Sequence, residues 1–166
     1  MQLASILDIG FSSRSGSVIS SDAEHKDMDI SSESKMISGI LLITIPSIAY
    51  GGFFLLRSLA SNAPGYMDNP LRQNMFRAGH AHAGVLVLLS LICQLLADVA
   101  ILPEPLLYLA RLGVPAAAIL MPLGFFLSVA APRTTKPNGL ITLVYMGAIV
   151  LAIGVLTLGI GLIRSA

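Results

Sequence analysis

The chain has 166 residues, 55% of them hydrophobic and only 11% charged, with a formal net charge of +1 and a mean hydropathy of +0.82. A soluble domain carries roughly 25% charged residues, so this composition excludes an ordinary soluble globule. The charge balance, with no basic cluster, gives no footprint for nucleic acid, and the single cysteine, Cys93, excludes an intramolecular disulfide.

The first 35 residues differ from the rest. Met1–Lys35 holds six of the nine acids, is rich in serine and shows no sustained helical periodicity. Such a segment cannot bury enough apolar surface to offset its ordering entropy, and it reads as a disordered tail. It lacks the basic start, apolar core and cleavage site of a secretory signal. An alternative is an over-long gene start, with translation beginning at Met36.

Four apolar runs follow, at about 36–56, 76–97, 106–131 and 140–163. Crossing a bilayer core takes roughly 20 apolar residues in a helix. Within lipid every backbone polar group must be satisfied inside the segment, which makes each run a helix. The reading is an all-α polytopic membrane protein: an antiparallel bundle of four transmembrane helices at residues 36–166.

In the first run Pro46 removes a helix hydrogen bond, and Thr44 and Ser47 stand where their hydroxyls can satisfy the freed carbonyl. Before the second run, Pro64-Gly65 and Asp68-Asn69-Pro70 are turn signals. Asp68 or Asn69 is the expected cap, and Leu71–Arg77 an interfacial first stretch of the helix. The third run carries Pro115 and Pro122 on nearly one face, which predicts a bent helix. In the fourth, Gly147, Gly154 and Gly161 recur every seven residues. Such a stripe stays on one side of a left-handed helix pair and lets two backbones approach. It predicts helix packing, within the bundle or between protomers.

Chemistry is confined to Gly79-His80-Ala81-His82-Ala83-Gly84 at the start of the second run. Histidine titrates near neutral pH and is the commonest metal ligand. At 100° per residue, however, positions i and i+2 lie about 200° apart on a helix. His80 and His82 can share a metal only where the helix is unwound or begins after them. The His80 line continues through Gly84, Gln94 and Asp98 and is the more polar, so His80 is expected to face the bundle interior. The His82 line continues through Leu86, Leu89 and Cys93, which suit lipid or a tight apolar contact. Cys93 itself reads as a small packing residue.

Three roles stay open for the pair. The favoured one is hydrogen bonding to loop carbonyls with no cofactor. The second is ligation of haem or a transition metal, with Asp68 as the best carboxylate for a metal. The third is a proton relay. Tyr50, Asp68, Asn69, Asn74, Arg133, Thr134, Thr135 and Asn138, from the first and third loops and the span ends beside them, are expected to form a polar pocket on the same side. No catalytic group is legible.

The segments Tyr66–Gln73 and Phe76–Gly84 resemble small uncharacterised four-span membrane proteins of bacteria, over the chain from Met36 onward. That resemblance implies no activity. A much weaker similarity is to haem-binding helices of the haem-copper oxidase and nitric oxide reductase families, which also place closely spaced histidines near a span boundary. It implies a haem or metal role for His80 and His82, although this chain is far shorter than those proteins' core.

The expected function is that of a small integral membrane protein, an accessory or structural subunit whose partners are the lipid bilayer and a homo-oligomer or larger membrane complex. A haem- or metal-binding redox module and a small transporter are the alternatives. Orientation follows the basic residues of short loops. Arg57, Arg72, Arg77, Arg133 and Lys136 lie on the side of the first and third loops, against Arg111 and Arg164 on the other. That places both termini outside the cytoplasm of a cell-membrane protein. Counting Arg14, Lys26 and Lys35 of the tail would level the two sides. A reporter fused after Ala166 is expected to read as extracytoplasmic. A cytoplasmic reading would show that the tail's basic residues govern insertion.

Overall fold

A computed structural model describes residues 29–166. Four helices run in chain order: α1 (Ser32–Ala60), α2 (Pro70–Ala97), α3 (Glu104–Ser128) and α4 (Thr142–Ser165), the last entered through a single 3-10 turn at Gly139–Ile141. All four are long and apolar enough to cross a membrane, and no strand occurs among the described residues. The chain is an all-α, multi-pass membrane protein.

Helix ends follow local chemistry. Ser31 caps α1, its side chain accepting from Ser34 N, and Glu33 lies in the positive first turn. The helix thus begins at Ser32, four residues earlier than the apolar run indicates. The tail expectation is corrected for residues 32–35, which are helical, and for residues 1–28 it lies outside the described residues. Asn69 caps α2 by accepting from Arg72 N at 3.1 Å, with Pro70 as the first helical residue. Asp68 instead accepts from Gly65 N at 2.6 Å and shapes the turn before the cap. Asn138 serves two helices. Its side chain donates to Leu127 O at the end of α3 and accepts from Leu140 N ahead of α4.

Consecutive helices pack antiparallel, and α3 is the centre. Its contact with α4 is close because glycine faces glycine. A Cβ on Gly113 would stand 2.9 Å from Gly154 Cα, one on Gly147 would stand 2.5 Å from Met121 Cγ, and one on Gly161 would stand 2.6 Å from Leu102 Cγ. The heptad stripe therefore packs within the chain, against α3 and the α2–α3 loop. Without a hydrophobic effect between helices in lipid, this closeness of backbones supplies the attraction through dispersion.

The α2–α3 contact has an apolar layer at each end and one between. Phe76 packs with Tyr66 and Val129 near the first loop, Leu86 with Ala117 and Met121 at mid-height, and Cys93 and Ala97 with Ala110 and Val114 at the far end. Cys93 is the small packing residue expected. The proline of α1 is accommodated differently from the expectation. Pro46 frees the carbonyl four residues back, that of Leu42, but Thr44 Oγ1 donates to Leu41 O and Ser47 Oγ to Thr44 O, each at 2.6 Å. These hydroxyls bond their own preceding turn, the common habit of Ser and Thr in helices.

Gly113→Ala is expected to cost about 1–3 kcal/mol, the scale of overpacking a filled contact, and Gly154→Leu more. Gly159→Ala, where no atom lies within 4 Å of the new Cβ, should stay within about 0.5 kcal/mol. Thermal unfolding of the purified protein in detergent measures both. Equal effects at Gly113 and Gly159 would refute the α3–α4 contact.

Candidate functional site

α2 is helical from Pro70 through both histidines, so the 200° separation holds and the rings face different neighbours. His80 lies in a notch on α1 made by two glycines. A Cβ on Gly52 would be 3.1 Å from its Nε2, and one on Gly51 would be 3.5 Å from its Nδ1. Among the described residues His80 has no hydrogen-bond partner, yet neither ring nitrogen is fully buried. His82 turns the other way. Its Nδ1 lies 2.7 Å from Ala78 O and donates to it, and the ring packs on Phe125 of α3 with centroids 4.9 Å apart. In the neutral ring that bond makes Nε2 the acceptor nitrogen.

Of the two expectations for the His82 line, the tight apolar contact is the one present: it packs against α3, with Leu86 and Cys93 only 4% and 3% exposed. His80 itself faces α1, while Gln94 and Asp98 farther along its line reach Arg111 of α3. The apolar line wins the central position because α3 presents Ala110, Val114 and Ala117, whose small side chains close-pack with it.

Asp68, His80 and His82 are not brought together. Asp68 is engaged in its turn, and no three His, Cys, Asp or Glu among the described residues stand close enough to hold a metal ion. The polar pocket between the first and third loops is present, but Tyr50, Asn74 and Asn138 do not line it. Asp68, Asn69, Arg133, Thr134 and Thr135 line a shallow depression of about 440 Å³. Its role in the fold is visible: Asn69 Nδ2 donates to Pro132 O and Thr134 O, stitching the two loops. Arg72 adds bonds to Gly65 O and Ala130 O, and its guanidinium lies 4.7 Å from the centroid of the Phe76 ring.

A stronger polar cluster lies at the opposite end. Arg111 of α3 pairs with Asp98 at the end of α2 at 2.6 Å, both side chains 6% exposed. Arg111 Nη1 also donates to Ser34 Oγ of α1. Ser34 Oγ in turn donates to Gln94 O at 2.9 Å, and Ser31 N donates to Asp98 Oδ2 at 3.2 Å. Gln94 Nε2 donates to Arg111 O at 2.8 Å. That carbonyl is the one freed by Pro115, which has no N–H to give it. Three helices thus converge on one ion pair. Within this cluster Gln94 Oε1 is buried without a partner among the described residues. Burial pushes the Asp98 carboxyl upward, but hydrogen bonds from Ser31 and Arg111 outweigh it and hold the group below the usual carboxylate range.

Sequence reasoning counted Arg111 only as a basic residue of the second-loop side and missed Ser34. Two signals were present. Asp98 continues a polar line on α2 and needs a partner, and Ser31-Ser32-Glu33 ahead of an apolar run is a helix start.

No protein-family model, curated protein or solved structure matches the chain.

Asp98→Asn and Arg111→Met are each expected to cost about 3–5 kcal/mol, because each leaves a buried charge unpaired. The double replacement should cost less than the two single costs added. Because the folded carboxylate titrates below its unfolded value of about 3.9, its contribution is complete above that value. It is lost as pH falls through the lower folded value. Thermal unfolding of the wild type should therefore weaken below about pH 4, and that acid step should be absent in the double variant. Additive single costs would refute the pairing.

Proposed function

We propose that the protein acts as an accessory or structural subunit of a membrane assembly, with α1 as the helix that meets its partner. The observation that carries the reading is the uneven burial of the spans. Of the most apolar stretch of α1, 6% is buried within the chain, against 44% for α3. α1 is fixed at its start by the Arg111 cluster and toward its end by Phe54 against Phe76. Its outer side carries Ile43 and Tyr50, 79% and 70% exposed. A span so little used by its own bundle is available to another set of membrane helices, in a homo-oligomer or a larger complex. In a cell membrane the loop basic residues favour extracytoplasmic termini. Pairing with Asp98 removes Arg111 from the free charges of the terminal side, which strengthens that bias.

A second reading, ligation by His80, is favoured by its lack of a hydrogen-bond partner among the described residues. A haem on Nε2 would need α1 to move away from the Gly52 contact, and each chain would give one axial ligand. A Soret band or stoichiometric metal in purified protein would support it. A transporter has less support, since Leu86 and Val87 separate the histidine level of α2 from the Gln94–Asp98 level.

Photo-crosslinkers placed at Ile43 and Tyr50 in intact membranes are expected to give protein-sized adducts, and one at Ile163 on α4 is not. Adducts from none of the three would refute a partner for α1.

A further inference from the structure

The last third of α1 carries Tyr50, Phe53, Phe54, Arg57, Ser58 and Ser61, spaced three and four apart and so on one face. With Ala63 of the first loop they line a pocket of about 290 Å³. The pocket is graded along the helix. The three aromatic residues lie toward the bilayer interior, and Arg57, Ser58 and Ser61 stand where α1 ends. Two groups at this polar end have no partner among the described residues. Arg57 is exposed, and its guanidinium makes neither a hydrogen bond nor an ion pair there. Ser58 is only 6% exposed, and its hydroxyl makes no hydrogen bond there. That hydroxyl is not sealed within protein either, and the opening it reaches is this pocket. The nearby backbone acceptors are in use. Arg57 O accepts from Ser61 N and Ser61 Oγ, and Ser58 O accepts from Ala63 N.

We propose that this pocket binds the phosphate of an anionic phospholipid, with Arg57 and Ser58 as donors and the acyl chains running down past Phe53 and Phe54. The site does not depend on a protein partner for α1. The donors decide the ligand. Both unpartnered groups can donate and the acceptors beside them are taken, so the missing group is an acceptor. A guanidinium is always charged and pairs with phosphate through two parallel hydrogen bonds. Ser58 adds a hydroxyl to the same anion. Depth selects a lipid over a free ion. Phe53 and Phe54 lie about one turn below Arg57 and Tyr50 about two, against the apolar wall of a span. Charge selects an anionic headgroup over a zwitterionic one. Among the described residues Arg57, Arg72, Arg77, Arg133 and Lys136 stand on this side against Asp68 alone, and Asp68 is held by Gly65 N. A quaternary ammonium would find positive charge here and no free carboxylate. The volume equals that of about ten waters, which suits a phosphate and the glycerol it joins.

The test uses the full-length protein in detergent micelles, read by native mass spectrometry. The probes are phosphatidylglycerol and phosphatidylcholine with the same acyl chains, and inorganic phosphate. One phosphatidylglycerol per chain is expected to be retained saturably, about tenfold tighter than phosphatidylcholine. Inorganic phosphate in large excess should not displace it. Arg57→Gln should weaken retention about tenfold and Ser58→Ala about threefold, the scale of losing a charged and a neutral donor. Lys136→Gln, on the same side but outside the pocket, should leave retention unchanged. Thermal unfolding checks that each variant is folded. If Ser58→Ala does not fold, Arg57→Gln against Lys136→Gln decides alone. No saturable retention, equal retention of the two lipids, or displacement by phosphate overturns the site. So does a Lys136→Gln effect as large as that of Arg57→Gln, which would mean attraction by the whole charged side. A folded Ser58→Ala protein with unchanged retention overturns the placement of the phosphate at the buried hydroxyl.

Discussion

The buried pair of Arg111 and Asp98 is the interaction on which the arrangement of helices depends. An arginine within an apolar span is costly unless its charge is met and its donors are used. Here one amino group meets a carboxylate and the other a serine hydroxyl on a different helix. Because the partners come from α1, α2 and α3, satisfying the arginine sets the position of all three at that end. The same cluster repairs the break that Pro115 makes in α3, through Gln94. A packing kink and an ion pair are thus one construction. Its single loose end among the described residues is Gln94 Oε1.

At the other end of the molecule the cohesion is of a different kind. Phe76 joins α1, the first loop and α3 through Phe54, Tyr66 and Phe126, with Arg72 covering its face. Asn69 and Asn138 close the loops above it. Between a polar knot and an aromatic one, the α3–α4 pair is held by backbone proximity and α1 by little.

What was legible in the sequence was local. The four spans followed from length and apolarity, the α2 cap from Asn69-Pro70, and the packing face of α4 from three glycines at heptad spacing. The opposed directions of His80 and His82 followed from 100° per residue. What was not legible depended on which helix sits beside which. Ser34 and Arg111 meet across 77 positions of sequence, and no periodicity within either helix reports the other. For the same reason the inner face of α2 was assigned to its polar line. The polar line meets α1 at His80 and Arg111 of α3 at Gln94 and Asp98, while α3 also took the apolar line because small residues allowed closer contact. Asp68 looked like a ligand because of its chemistry. In the fold its carboxylate is consumed by a backbone amide three residues away.

The spacing of Asp98 and Arg111 has a consequence for how the chain enters the membrane. The two are separated by a short turn at the tip of the α2–α3 hairpin, so each meets its counter-charge almost as soon as it is made. An arginine presented alone at the centre of a span costs about 2.5–3.5 kcal/mol to insert. Neutralised within one hairpin, the charge can be carried into the bilayer edge by two helices entering together.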